Sequence, residues 1–232
     1  MGWNKGKRSV KKVFPVFAAV AFLWMTGVSG AFADSLQLTS GGSTTYNDAV
    51  HSGIYVGPYQ ISVNSASSSP MICDDYGTEI SGGSTWNGNA YTFSQLSQMK
   101  FYGNTSFGNN ASTPTQAYEE VFYLSAQMML QPNNANYAAI NYAIWQIMDP
   151  KDSPANNGPT SSVNTWLAQA AANYAFVNTS DFIVYTPNPT TSSQEFIQVI
   201  NPQNATVPVP PSILLLGTGL LGVVGLRKKP RK

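Results

Sequence analysis

The alternation of apolar and polar positions changes period twice between residues 34 and 200. "SLQLTS" sets Leu36 and Leu38 on one face of a strand, and "SGIYVGPYQISVNS" resumes the alternation through Ile61 and Val63 after a break at Gly57-Pro58. "STWNGNAYTF" predicts two short strands around Asn87-Gly88, a dipeptide that favours hairpin turns. The runs Gly41-Gly42-Ser43 and Gly82-Gly83-Ser84 predict loops. The period then becomes helical. Thr113-Pro114-Thr115-Gln116 is a capping box with proline at the first helical position, and Ala117, Val121, Leu124 and Met128 follow on one face. Tyr137, Ile140, Ile144, Ile147 and Met148 predict a second helix that stops before Asp149-Pro150. Val163, Trp166, Leu167, Ala170, Ala171 and Tyr174 predict a third, capped by Ser161 or Ser162. "DFIVYTP" and "QEFIQVI", separated by "NPTTSS", return to strand composition. The fold class expected is α+β: a β-sandwich-like sheet with a central insert of about three helices, the closing strands rejoining the first sheet. There is no internal repeat.

Two apolar runs lie outside this pattern and predict an N-terminal signal helix and a C-terminal hydrophobic helix. Val13 to Val28 follows Lys5, Lys7, Arg8, Lys11 and Lys12 and gives way to Ala31-Phe32-Ala33. Positive, apolar and small-residue regions in that order predict a secretory signal peptide over 1–33, cleaved after Ala33, with Ala31 and Ala33 at the two small-residue positions. Its partners are then the Sec translocon and signal peptidase. Ile213 to Leu226 carries no charge over 14 positions. As a helix it would span roughly 20 Å, short for a finished membrane crossing. The expected organisation is a signal peptide at 1–33, an exported domain at 34–200, a stiff proline-rich stalk at 201–212, a hydrophobic transmembrane segment at 213–226 and a basic cytoplasmic tail at 227–232.

Charge sharpens this division. The formal net charge is +1, yet of the 12 Lys and Arg five precede the first apolar run and five follow the second. Residues 34–206 keep only Lys100 and Lys151 against all 11 acids, a net charge of −9. An acidic body repels phosphates, which argues against nucleic acid as a partner. Arg227, Lys228, Lys229, Arg231 and Lys232, just beyond an apolar run, are retained on the cytoplasmic side of the inner membrane.

The chain's end, "VPVPPSILLLGTGLLGVVGLRKKPRK", combines Pro208-x-Pro210, Ser212, an aliphatic run with Gly217, Gly219, Gly222 and Gly225, and Arg227-Lys228-Lys229. It resembles the PEP-CTERM sorting signal of Gram-negative bacteria, departing from it at Val209, where the name-giving motif has Glu. The resemblance covers about the last 26 residues. It implies recognition and processing by an inner-membrane exosortase, transient anchoring through the C-terminus, and delivery to the cell surface or extracellular matrix, with exopolysaccharide as a further partner.

Within the body, "MICDDYGTEI" holds the single cysteine. A lone Cys73 in an exported chain is buried, reactive or paired between chains. A Cys-Asp stretch followed at a distance by "INYAIWQI" is similar to the thioester domains of bacterial surface adhesins, in which a Cys condenses with a Gln just before Ala-Ile-Trp. The resemblance spans roughly residues 70 to 150. Ala143-Ile144-Trp145 match, but the Gln position is Asn141, one methylene shorter. The pair Cys73 and Asn141 is therefore read as belonging to a fold relative without the bond, a covalent thioester adhesin being the alternative. Asp74, Asp75 and Glu79 are weak candidates for Ca²⁺, because D-D-Y-G-T-E is not a recognised calcium loop; Asp149 with Asp152 is weaker.

No catalytic residues and no cofactor emerge. His51 is the only histidine, no Gly-rich phosphate loop follows a strand, and the adjacent Glu119 and Glu120 point about 100° apart on a helix. Trp86, Tyr91, Phe101 and Tyr102 offer aromatic faces for sugar rings, or core. The function expected is that of a non-catalytic structural or adhesive protein, with a Ca²⁺ or glycan-binding module as a further alternative.

Overall fold

The computed structural model describes residues 33–48, 51–151 and 159–204. The signal segment up to Phe32, the stalk beyond Asn204, Pro208 to Lys229 of the sorting signal and Asp152 lie outside the described residues.

The chain is α+β, with eight strands and three α-helices among the described residues. The strands are β1 (Asp34–Ser40), β2 (Thr44–Tyr46), β3 (Ile54–Val56), β4 (Tyr59–Val63), β5 (Ser69–Cys73), β6 (Thr85–Tyr91), β7 (Phe182–Pro187) and β8 (Phe196–Val199). The helices α1 (Pro114–Met129), α2 (Tyr137–Met148) and α3 (Thr160–Asn173) all fall between β6 and β7. Four short 3-10 segments, the longest Phe93–Gln98, complete the elements.

The expected sandwich-like sheet is instead a closed antiparallel barrel in the order β1-β4-β5-β8-β7-β6. Closure follows from β1 having a partner on both edges. Leu36 opposes Val63 of β4 and also Trp86 of β6. With both edges of every barrel strand paired among the described residues, the barrel itself presents no edge to seed association. As expected, the closing strands rejoin the first sheet: β7 pairs with β6, and β8 with β5. β2 and β3 form a separate two-stranded ribbon.

Alternation along the barrel strands sorts side chains into two cores. Leu36, Leu38, Tyr59, Ile61, Met71, Cys73, Trp86, Tyr185 and Phe196 fill the interior. Ile72, Phe182, Val184, Ile197 and Val199 take the other face of β5, β7 and β8 and join the core built by α1 and α2. There Phe122 of α1 stacks on Phe182 at 4.4 Å between ring centroids. Trp86, Tyr91 and Phe101 are thus divided between the two cores, while Tyr102 is exposed, so the four do not form one aromatic platform.

Three local readings change. Asn87-Gly88 is not a turn: β6 runs straight through it, and Gly88 sits opposite both Asp34 and Pro187. A Cβ at Gly88 would lie 2.6 Å from Leu36 Cδ1, so the glycine gives room for an interior side chain. The capping box is offset, because Thr113 Oγ1 accepts the Gln116 N–H at 3.2 Å while Gln116 Oε1 accepts from Ser112 N rather than from Thr113. Finally, α3 begins at Thr160 behind Pro159, one or two residues before the expected serine caps.

Candidate functional site

β5 is buried on both faces, and its end delivers Cys73, Asp74 and Asp75 to the seam between the barrel and α2. α2 reads that seam with one face. Asn141 and Trp145, one turn apart, donate through Nδ2 and Nε1 to the Cys73 carbonyl, each at 3.1 Å. Asn141 Oδ1 accepts the Gly57 N–H at 2.7 Å, so a single carboxamide ties the corner between β3 and β4 to the end of β5. Gly57 has φ +90°, and a Cβ there would lie 2.5 Å from the Tyr137 ring; the corner requires glycine on both counts. Cys73 and Asn141 are therefore brought together, with both polar atoms of the amide held by main-chain groups. The Cys73 thiol lies in the barrel interior and donates to the Asp75 carbonyl at 3.2 Å. Burial, then the charges of Asp75 and Asp74, push its pKa well up, which keeps it a poor nucleophile.

Immediately beyond lies a group of buried ionisable side chains drawn from distant parts of the chain. Lys100 Nζ makes a direct ion pair with Asp75 Oδ2, and also reaches Thr78 Oγ1 at 3.0 Å and the Ser193 carbonyl at 3.3 Å. The Lys100 side chain is 14% exposed and that of Asp75 2%. Asp75 Oδ1 accepts from Thr78 N at 3.2 Å. Glu195, fully buried before β8, receives three donors: Tyr118 OH at 2.6 Å, Lys100 N at 2.8 Å and Thr186 Oγ1.

Asp74 is also fully buried, and the hydrogen-bond partner of its carboxyl is another carboxyl, that of Glu195, which requires a proton between them. It lies close enough to Glu195 for the two to titrate as a pair. Burial first, then the charges of Glu195 and Asp75, raise Asp74 well above the carboxylate range, with Lys100 opposing. Burial raises Glu195 too, against the pull of its donors. Since Glu195 accepts from Tyr118, Lys100 N and Thr186, a proton shared by the pair resides on Asp74, which donates it to Glu195.

Of the weak calcium candidates, Asp74 and Asp75 belong to this buried group and Glu79 is exposed at another cleft. Among the described residues no three His, Cys, Asp or Glu side chains gather as a metal site. Glu120 is buried on α1 and bonded to Asn109 and Gln116. Lys100 and Glu195 were missed in the sequence; the one signal for the first was its rarity, as one of two lysines in residues 34–206.

Two clefts flank the seam. One, of about 410 Å³, is lined by Asp75, Thr78, Lys100 and Asp149 among others. The other, of about 360 Å³, opens on Tyr55, Tyr59, Tyr76 and His51. Beside it Asp48, with a buried side chain, accepts from Tyr76 OH at 2.9 Å and Tyr142 OH at 2.8 Å, and His51 Nδ1 lies 3.1 Å from Tyr76 OH. These contacts hold Tyr76, on the wall of the second cleft, and the buried Tyr142 in place. Among the described residues no helix is long and apolar enough to cross a membrane. No protein-family model, curated protein or solved structure matches this chain.

Proposed function

We propose that this chain is an exported, non-catalytic structural or adhesive protein of the cell surface or extracellular matrix of a Gram-negative bacterium, sorted through its C-terminus by an exosortase. The observation that carries the reading is the charge layout. Ten of 12 cations lie outside the body, beside the two apolar runs, and residues 34–206 hold all 11 acids. A leader with cations before its apolar run engages the Sec translocon and signal peptidase. A terminal Arg-Lys-Lys after an apolar run holds that end in the cytoplasm while the exosortase acts.

The geometry supports a binding rather than a catalytic body. The thiol is buried, the Asn141 amide is committed to main-chain groups, and His51 and Asp48 hold each other and two tyrosines in place. The second cleft presents the half-exposed Tyr55 ring beside Tyr76, a face on which sugar rings stack, and this supports exopolysaccharide as the partner.

Deleting Val207 to Lys232 tests the sorting step. The truncated body is expected in the periplasm or the medium when fractions are probed with antibody. Retention in the membrane fraction at the wild-type level contradicts the proposal.

A further inference from the structure

The ion pair between Lys100 and Asp75 is placed for more than attraction. It joins side chains 25 residues apart at the edge of the barrel, nearly removed from solvent, beside two buried carboxyls. A buried ion pair is a weak source of stability, because desolvation offsets its attraction. Contact between the reacting groups supplies the proximity that makes a bimolecular condensation effectively unimolecular.

We propose that Lys100 Nζ and the Asp75 carboxyl condense into an intramolecular isopeptide bond, with the Asp74 and Glu195 pair relaying protons. The Lys100 ammonium first gives a proton to the Asp75 carboxylate. The amine lone pair then attacks Asp75 Cγ, forming the C–N bond, while Asp74 donates a hydrogen bond to the carboxyl oxygen. The amine loses a second proton, the C–O bond breaks, and hydroxyl departs with that proton as water. One ammonium and one carboxylate become one amide and one water, with no change in net charge and no oxidant or reductant.

Three features fit the roles. Asp74 is buried, hydrogen-bonded to Glu195, and close enough to feel the charges of Asp75, Lys100 and Glu195. Glu195 is anchored by Tyr118, Thr186 and the Lys100 N–H, which fixes the lysine backbone and steadies the relay. The cleft of about 410 Å³ borders both reacting residues and gives the water a way out. The bond would close the segment 75–100, which contains β6, and so staple the barrel in a chain whose single cysteine rules out an internal disulfide. The proposal does not depend on how the chain is sorted.

Trypsin supplies the test, since Lys100 and Lys151 are the only cleavable residues between 34 and 206. The full-length chain is purified, fully unfolded, digested and weighed. The expected product runs uncut through Lys100 to Lys151 and is lighter than its sequence by one water. Cleavage after Lys100 with ordinary fragment masses overturns the proposal and leaves an ion pair only. Asp75→Ala is expected to restore cleavage after Lys100, and its failure to do so also overturns the assignment. Asp74→Asn, checked for native circular dichroism, is expected to slow linkage about 10²-fold after refolding, the scale of a lost general acid. Unslowed linkage in that variant overturns the relay.

Discussion

Gly108→Ala is expected to destabilise the domain more than substitution at the other described glycines. Gly108 donates its N–H to the Ile147 carbonyl at 2.9 Å, pinning the loop before α1 to the last turn of α2. A Cβ there would lie 1.8 Å from the Gln146 carbonyl oxygen and 2.8 Å from its carbon. Both are main-chain atoms of a buried helix, so no side-chain rotation relieves the clash. Either the loop leaves α2, exposing part of the core that Met148 and Ile147 help build, or α2 shifts away from α1. Overpacking of a core typically costs 1–3 kcal/mol; a backbone clash belongs at or above the top of that range, about 3 kcal/mol. For a domain of this size that lowers Tm by roughly 6–12 °C. Gly103→Ala is the control, since nothing lies within 4 Å of its Cβ position, and its effect should stay within about 0.5 kcal/mol. Equal melting temperatures for the two variants would mean that the loop is not held against α2.

The second large effect is a loss of stability as pH rises. Asp74 and Glu195 both have pKa values above the ordinary carboxylate range in the folded state, chiefly through burial. The folded protein therefore retains a proton that the unfolded chain releases above about pH 4. A raised folded-state pKa contributes stability that is full below the unfolded value and is lost as pH climbs toward the folded one. Each retained proton gives a slope of about 1.4 kcal/mol per pH unit across that window. Glu120, raised by burial as well, adds in the same direction. Denaturant unfolding should thus show a more stable domain near pH 5 than near pH 8, and Asp74→Asn should flatten the trend. Stability that rises from pH 5 to pH 8 would place the proton elsewhere.

How much of this was legible depended on whether the signal was local. α1 and α2 announce themselves because Thr113-Pro114 starts one, Asp149-Pro150 stops the other, and each keeps its apolar residues at helical spacing. β1 and β4 alternate in sequence because Leu36, Leu38 and Ile61 point into the barrel while polar residues flank them. β5 does not alternate. Its Met71 and Cys73 face the barrel interior and its Ile72 the helices, so three apolar residues run in succession and Pro70 disguises the strand further. Asn87-Gly88 misleads for a related reason: the dipeptide favours a turn locally, but here the glycine makes room for Leu36 in a straight strand. Barrel closure is written in no single segment, because it rests on β1 finding partners on both sides.

The candidate site divides in the same way. Cys73 and Asn141 could be paired only through the resemblance to adhesin thioester domains, and the structure brings them together through the Cys73 carbonyl. Asp74 and Asp75 drew notice as neighbours in sequence. Their working partners, Lys100 and Glu195, are 25 and 120 or so positions along the chain, attached to a 3-10 segment and to the approach to β8. Nothing about Lys100 in sequence distinguishes a buried lysine from a solvated one except how few lysines the body has.

Residues 34–206 are proposed to leave the cytoplasm after losing the leader. Fractionating producing cells and determining the N-terminus of the full-length product tests this most directly. A chain beginning at Asp34 and recovered outside the cytosol is the result expected; a cytosolic chain still carrying residues 1–33 would contradict it.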